Sequence, residues 1–316
     1  MLAKVILALI VTQAAPGPLA TLRSQAAAMT PLVQTQLAKH WLKAASKLTL
    51  PEPRTIHKSA NWLTEQQYRQ LSKEEQAKAK PKSVDGELYY NTKYGTPIAY
   101  ARAVDLAAQN KLKNIQNAKI LDFGYGGIGQ LRLFASLGAT AVGIDVDPFL
   151  KVLYSKPSDQ GRYCKGTVKL IDGHFPVDKT TKKAVGKSYD LVVSKNTLKR
   201  GYIHPSRPAD KSQLIDLGVT DARFLQVMHQ IIKPGGLLII YNLCPAQAPP
   251  DKPYIPWADG ESPFNKDLFK NAGFEVLKFD QVDDVFARKM ARALGWDKDM
   301  DLEHDLFAWY TIARRK

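Results

Sequence analysis

The chain has 316 residues, 45% hydrophobic and 24% charged, the proportions of a globular domain and not of a disordered, collagenous or membrane-embedded chain. Its formal charge of +15 admits an anionic partner, but Lys39, Lys43, Lys47, Lys78, Lys80 and Lys82 are scattered. No aromatic residues interleave with them as in a single-strand binder, so a basic soluble surface is expected and no nucleic-acid partner is assigned. Two cysteines, Cys164 and Cys244, and no Cys/His cluster at metal spacing exclude a disulfide scaffold and leave no metal to be expected.

Residues 1–28 do not read as domain. Met1-Leu2-Ala3-Lys4 carries one positive charge, Val5 to Val11 is an apolar run, and Thr12-Gln13-Ala14 and Ala26-Ala27-Ala28 are small-residue cleavage sites. This layout predicts a signal peptide removed somewhere between Ala14 and Ala28, too short to span a bilayer. Export is then expected, to the periplasm or outside, with a cytoplasmic chain as the alternative. Residues 29–85 read as a helical extension. Thr30-Pro31 opens a helix with Val33, Leu37 and Trp41 on one face, and Leu50-Pro51-Glu52-Pro53 ends it. Residues 61–80, rich in Gln, Glu and Lys, predict a second, exposed helix that Pro81 stops.

From residue 86 the pattern is that of an α/β domain. A segment containing Tyr90 and Tyr94 leads to a helix capped by Thr96 with Pro97 in its first turn. A first strand, Lys119-Ile120-Leu121-Asp122-Phe123, runs into Gly124-Tyr125-Gly126-Gly127-Ile128-Gly129, and a second ends in Asp145-Val146-Asp147. The glycines let the backbone pass close under a ligand, and the helix after them offers N–H donors. Asp145 is suited to a ribose diol. Gly124, Gly126 and Gly129 also fit the dinucleotide pattern, with Asp145 about 20 residues on. Asp122 fits that pattern poorly, because an acid there faces a pyrophosphate; it suits a cationic ligand better. A third strand ends in Asp172-Gly173, a fourth runs from Tyr189 to Ser194, and Lys233-Pro234-Gly235-Gly236 launches a fifth through Tyr241. Residues 273–277 and 306–313 read as two further segments.

An acid, a glycine turn, a second acid and strands three to five in this order resemble the class I S-adenosylmethionine-dependent methyltransferases, over roughly residues 86–316. The resemblance implies a Rossmann-like, seven-stranded, mostly parallel sheet of order 3-2-1-4-5-7-6, which residues 273–277 and 306–313 close as a hairpin. It implies S-adenosylmethionine as cofactor, held by Asp122, Gly124, Tyr125 and Gly126 at the methionine end, by Asp145 and Val146 at the ribose and by Asp172 and Gly173 at the adenine, with Ser194 at the end of strand four. That sheet order sets the two cysteines about four strand spacings of 4.8 Å apart, on the order of 19 Å, so free, half-buried thiols are expected.

In-line methyl transfer needs positioning more than it needs a triad, and none is written here. Ser194-Lys195-Asn196-Thr197 replaces the Asn-Pro-Pro-Tyr type of signature after strand four. In the loop beyond it, His204 is the candidate base, with Tyr202 beside it, and Arg207 a candidate clamp for an anionic acceptor. Tyr90 and Tyr94 before strand one, and Tyr254 and Trp257 in the proline-rich stretch 245–263, are candidate lid residues. The expected function is methylation of a small-molecule acceptor. Two alternatives stay open: an NAD(P)-dependent oxidoreductase, and an exported, non-catalytic binding domain, since S-adenosylmethionine is a cytosolic metabolite.

Overall fold

A computed structural model describes residues 17–316. The apolar run Val5 to Val11 and the Ala14 cleavage site of the expected leader lie outside the described residues. The segment from Pro18 onward is part of the folded body. Helix Pro18–Met29 begins with Pro18 in its first turn and buries Leu22, Ala26 and Met29 in the core of the protein.

The extension differs from the expected helical pair. Thr30 ends the first helix instead of opening the second, which runs Gln36–Lys43 under a Thr35 cap. Asp105 Oδ1 fixes that cap by accepting from the Gln34 and Thr35 N–H groups and the Thr35 hydroxyl. Residues 61–80 are not one helix. A three-stranded antiparallel sheet forms from β1 (Thr55–Lys58), β2 (Trp62–Thr64) and β3 (Lys80–Ser83), in the order β2-β1-β3. Between β2 and β3, two short helices, Glu65–Arg69 and Lys73–Lys78, each start at a capping box, Thr64 with Gln67 and Ser72 with Glu75. Ser72 restarts what composition alone presents as a continuous helix.

The main sheet has eight strands, not seven. They are β4 (Lys119–Phe123), β5 (Thr140–Asp145), β6 (Gly161–Tyr163), β7 (Gly166–Asp172), β8 (Tyr189–Lys195), β9 (Ile232–Cys244), β10 (Phe274–Val282) and β11 (Phe307–Arg315). Their order is β10-β11-β9-β8-β4-β5-β7-β6. The five central strands from β7 to β9 are parallel, and β6, β10 and β11 are antiparallel to their neighbours. The additional strand, β6, is a three-residue edge piece turning through Cys164 and Lys165 into β7.

Both faces of the sheet are covered, so its central strands read as unbroken apolar runs. Ile120, Leu191, Val193 and Ile239 face one layer, with the N-terminal helices and helices Ala101–Gln109, Gly129–Ser136 and Asp284–Leu294. Leu121, Val192, Leu238 and Ile240 face the other, with Phe224, Phe264 and Phe269. Residues 18–85 therefore share one core with the sheet. A buried node fastens them: Asp159 accepts both guanidinium nitrogens of Arg54 (2.5 and 2.8 Å), the Tyr89 hydroxyl (2.7 Å) and the Lys156 N–H. Among the described residues no helix is long and apolar enough to cross a membrane, and no group of three acidic, His or Cys side chains is placed to hold a metal.

Candidate functional site

A cavity of about 490 Å³ opens where β4, β5, β7, β8 and β9 end, the edge at which open α/β sheets place ligands. Its floor is the turn after β4. Gly124 and Gly126 sit at φ +75° and +56°, left-handed values that side chains resist. A Cβ on Gly124 would lie 2.7 Å from Thr197 Cβ, and one on Gly126 2.8 Å from Tyr94 Cβ. Both positions therefore demand glycine, by backbone conformation and by the side chains packed on them.

Acids gather round this turn. Asp145 accepts from the N–H groups of Gly126 (3.1 Å), Val146 (2.8 Å) and Asp147 (3.0 Å). Burial still raises its carboxyl above the usual range, against the pull of those bonds. Asp147 caps helix Pro148–Leu153 and accepts from the Tyr94 hydroxyl (2.6 Å) and Lys93 Nζ (2.8 Å). Burial works against its charge, but Lys93 and Tyr94 hold it below the usual carboxylate range. Tyr94, nearly half exposed, is thereby latched over the glycine turn. Val146, Phe175 and Gly173 line the side toward β7, and Tyr125 closes the back.

The opposite side is apolar and cationic. Tyr100, Leu217, Tyr202, Leu243, Pro245 and Trp257 line it together with Lys195, Asn196 and Lys199. Asn196, at φ +64°, follows β8 and accepts the Leu243 N–H on its Oδ1 (2.7 Å). Lys199 Nζ donates to the Leu243 and Trp257 carbonyls (2.7 and 2.8 Å), which ties the proline-rich stretch to β9.

The cavity thus brings together Gly124, Tyr125, Gly126, Asp145, Val146, Gly173, Tyr94, Tyr202 and Trp257 from among the expected residues. The others lie elsewhere. Asp122 is sealed behind the wall, accepting from Gln130 Nε2 (2.8 Å) and the Tyr100 hydroxyl (3.3 Å), and burial pushes its carboxyl up to about 7. Asp172 turns outward to Lys151 Nζ (2.7 Å), leaving only the Gly173 backbone at the cavity. Ser194 is buried and its Oγ accepts the Leu198 N–H (3.2 Å). Tyr90 is core, donating to the Thr49 carbonyl (2.7 Å) and accepting from Arg132 (2.9 Å). Tyr254 is buried against Asp259 (2.7 Å). Arg207 spends its guanidinium on the carbonyls of Ala248, Pro249 and Lys252, bracing the loop instead of clamping an anion. His204 lies on the surface, paired with Asp221 (2.8 Å) and away from the cavity. Cys164 and Cys244 are free thiols, one exposed and one buried, not the half-buried pair expected.

Tyr100, Gln130, Asp147, Lys195 and Lys199 are site residues that sequence reasoning missed. Asp147 was legible as the acid before Pro148 in a helix-start pattern. Lys195 was legible as a charge at the C-terminal end of an apolar strand. Tyr100 and Gln130 carry no local signal, since each enters the site from a helix face.

No family model matches the chain, and no curated protein matches it. Among solved structures it is similar to the [4+2]-cyclase SpnF (16% identity over 68% of this chain and 80% of that one, TM-score 0.39). It is likewise similar to an S-adenosylmethionine-dependent methyltransferase from Mesorhizobium loti (17% identity over 69% and 98%, TM-score 0.38). A third is magnesium protoporphyrin IX methyltransferase from Synechocystis, with bound S-adenosylmethionine (14% identity over 67% and 76%, TM-score 0.37). At this identity and these scores the likenesses carry no functional conclusion.

Proposed function

We propose that the chain is an S-adenosylmethionine-dependent methyltransferase acting on a small-molecule acceptor. One observation carries the proposal: a left-handed glycine turn after β4 meets Asp145 and Asp147, the acids at the end of β5, at a single cavity. Gly124 and Gly126 would pass under the ligand, and Asp145 would take the ribose diol. Val146, Phe175 and the Gly173 backbone would flank the adenine. Bound there, S-adenosylmethionine supplies a methyl group made electrophilic by its sulfonium. Asp122, sealed behind Tyr100 and Gln130, places negative charge behind the wall and offsets such a cation without touching it. Trp257, Leu217, Leu243 and Pro245 keep water from the acceptor side. The Tyr94 to Asp147 latch covers the turn. A dinucleotide fits less well, because Asp147, in the cavity beside the glycine turn, would face its pyrophosphate with like charge.

Equilibrium dialysis against S-adenosylmethionine and against NAD tests the proposal. Binding of the first is expected, with Asp145→Ala weakening it by about 1.5–3 kcal/mol, the worth of a charged hydrogen bond. NAD binding without S-adenosylmethionine binding would make the chain an oxidoreductase. Binding of neither would leave a non-catalytic domain.

A further inference from the structure

Lys195 stands in the cavity without a partner. It ends β8, is 7% exposed and lines the acceptor side. Among the described residues its ammonium makes no hydrogen bond and no ion pair; the ring of Tyr100 lies 5.3 Å away. Lys199, four residues on and equally buried, places its ammonium on two carbonyls. A buried cation without hydrogen bonds is held at high cost unless it can lose its proton.

We propose that Lys195 is the proton acceptor of the methyl transfer, emptied of its own proton when a sulfonium ligand enters the cavity. This rests on the methyltransferase proposal above. The groups facing Lys195 are Asp122 from β4, Tyr100 from the turn before helix Ala101–Gln109, and Lys199 from the segment after β8. Tyr241, beside it on β9, lies in the field of Asp283 and Arg102, and Asp145 acts on Asp122 and Tyr100. Burial first, and then Lys199, bring the Lys195 ammonium down to about 8 against the attraction of Asp122. A further positive charge in the same cavity lowers it again, by about 1–3 pH units at contact range, so most of the amine is neutral at pH 7.5.

The acceptor class is set by this chemistry. It is a group that gives up a proton as it is methylated, such as a phenol, a thiol or a protonated amine, and not a carboxylate, which arrives already bare. The acceptor passes its proton to Lys195 Nζ and its freed lone pair bonds the methyl carbon. The carbon–sulfur pair stays on sulfur, and the lysine later returns the proton to water.

Titration calorimetry in two buffers of different ionisation enthalpy, at pH 7.5, reads the protons released on binding S-adenosylmethionine and S-adenosylhomocysteine. The two ligands differ in the sulfonium charge. The first should release about 0.5–0.7 proton per site more than the second, with Asp122 adding at most about 0.2. Lys195→Arg, which keeps the charge and cannot lose it, should bring the difference to about 0.2 or less. The double variant Lys195→Met/Asp122→Asn should abolish it. Equal release with both ligands overturns the proposal, as does a full difference persisting in these variants. Proton uptake with both ligands, lost in Lys195→Met, would instead make Lys195 a clamp for the ligand carboxylate. Binding of neither ligand overturns the methyltransferase proposal itself.

Discussion

Asp122→Asn should change stability in a manner set by pH. The carboxyl is fully buried, and burial raises it to about 7 even though Gln130, Tyr100 and Lys195 favour its charge. In the unfolded chain it titrates near 3.9. The folded value is the higher, so between these limits the native state holds a proton that the unfolded chain has lost. The stability owed to the wild-type acid therefore falls as pH rises from about 4 to about 7 and is level above that. Its slope is at most about 1.4 kcal/mol per pH unit and flattens as the native carboxyl titrates, hence about 2.3 kcal/mol between pH 5.0 and 7.0. Asparagine has no such proton. Its own cost is constant: Gln130 Nε2, which also donates to the Tyr125 carbonyl (2.6 Å), would meet an amide or lose an acceptor, at about 1–3 kcal/mol. The variant should therefore be close to wild type at pH 5.0 and about 2–3 kcal/mol more stable relative to it at pH 7.5. Urea unfolding of both proteins at the two pH values measures this. A relative gain below about 0.5 kcal/mol would mean that Asp122 is not held protonated by burial.

Gly124→Ala should cost about 2–4 kcal/mol in urea unfolding, from a left-handed backbone and the displacement of Thr197; adding Thr197→Gly should recover only the steric part. Asp159→Ala should cost about 3–5 kcal/mol, since it leaves Arg54 buried and unpaired, and hydrogen exchange should show β1 and β3 losing protection first. A thiol reagent should modify Cys164 quickly in the native protein and Cys244 only on unfolding, so two fast thiols would contradict the burial of Cys244. If a leader is removed, mass spectrometry of the native protein should find the cut before Leu22, because Leu22, Ala26 and Met29 belong to the core; a mature terminus beyond Leu22 would refute this.

Several elements announce themselves locally because their cause is local. Apolar runs ending in Asp122-Phe123-Gly124 and Asp145 mark strands covered on both faces, and the more exposed strand that ends in Asp172-Gly173 is marked by its acid and glycine. Thr96-Pro97 marks a helix start by its chemistry alone. The small sheet of the extension was not legible, since β1 pairs with β3 across more than twenty intervening residues and its hydrophobic pattern is weak. The edge strand β6 is three residues long, below what periodicity resolves.

The same division runs through the site. Composition and pattern by themselves determined a mostly parallel α/β sheet, a glycine turn after its first strand and an acid at the end of its second, because these depend on backbone conformation and strand length. Which side chains line the cavity was decided only in three dimensions. Strand parity and the left-handed Asn196 turned Ser194 into the wall and left Lys195 in the cavity. Gln130 and Tyr100, brought from two helices, closed over Asp122, and Lys151 drew Asp172 to the surface. Charge type is written in the chain, but exposure and partner are properties of the packed whole, and in a dry cavity they decide what a charge does.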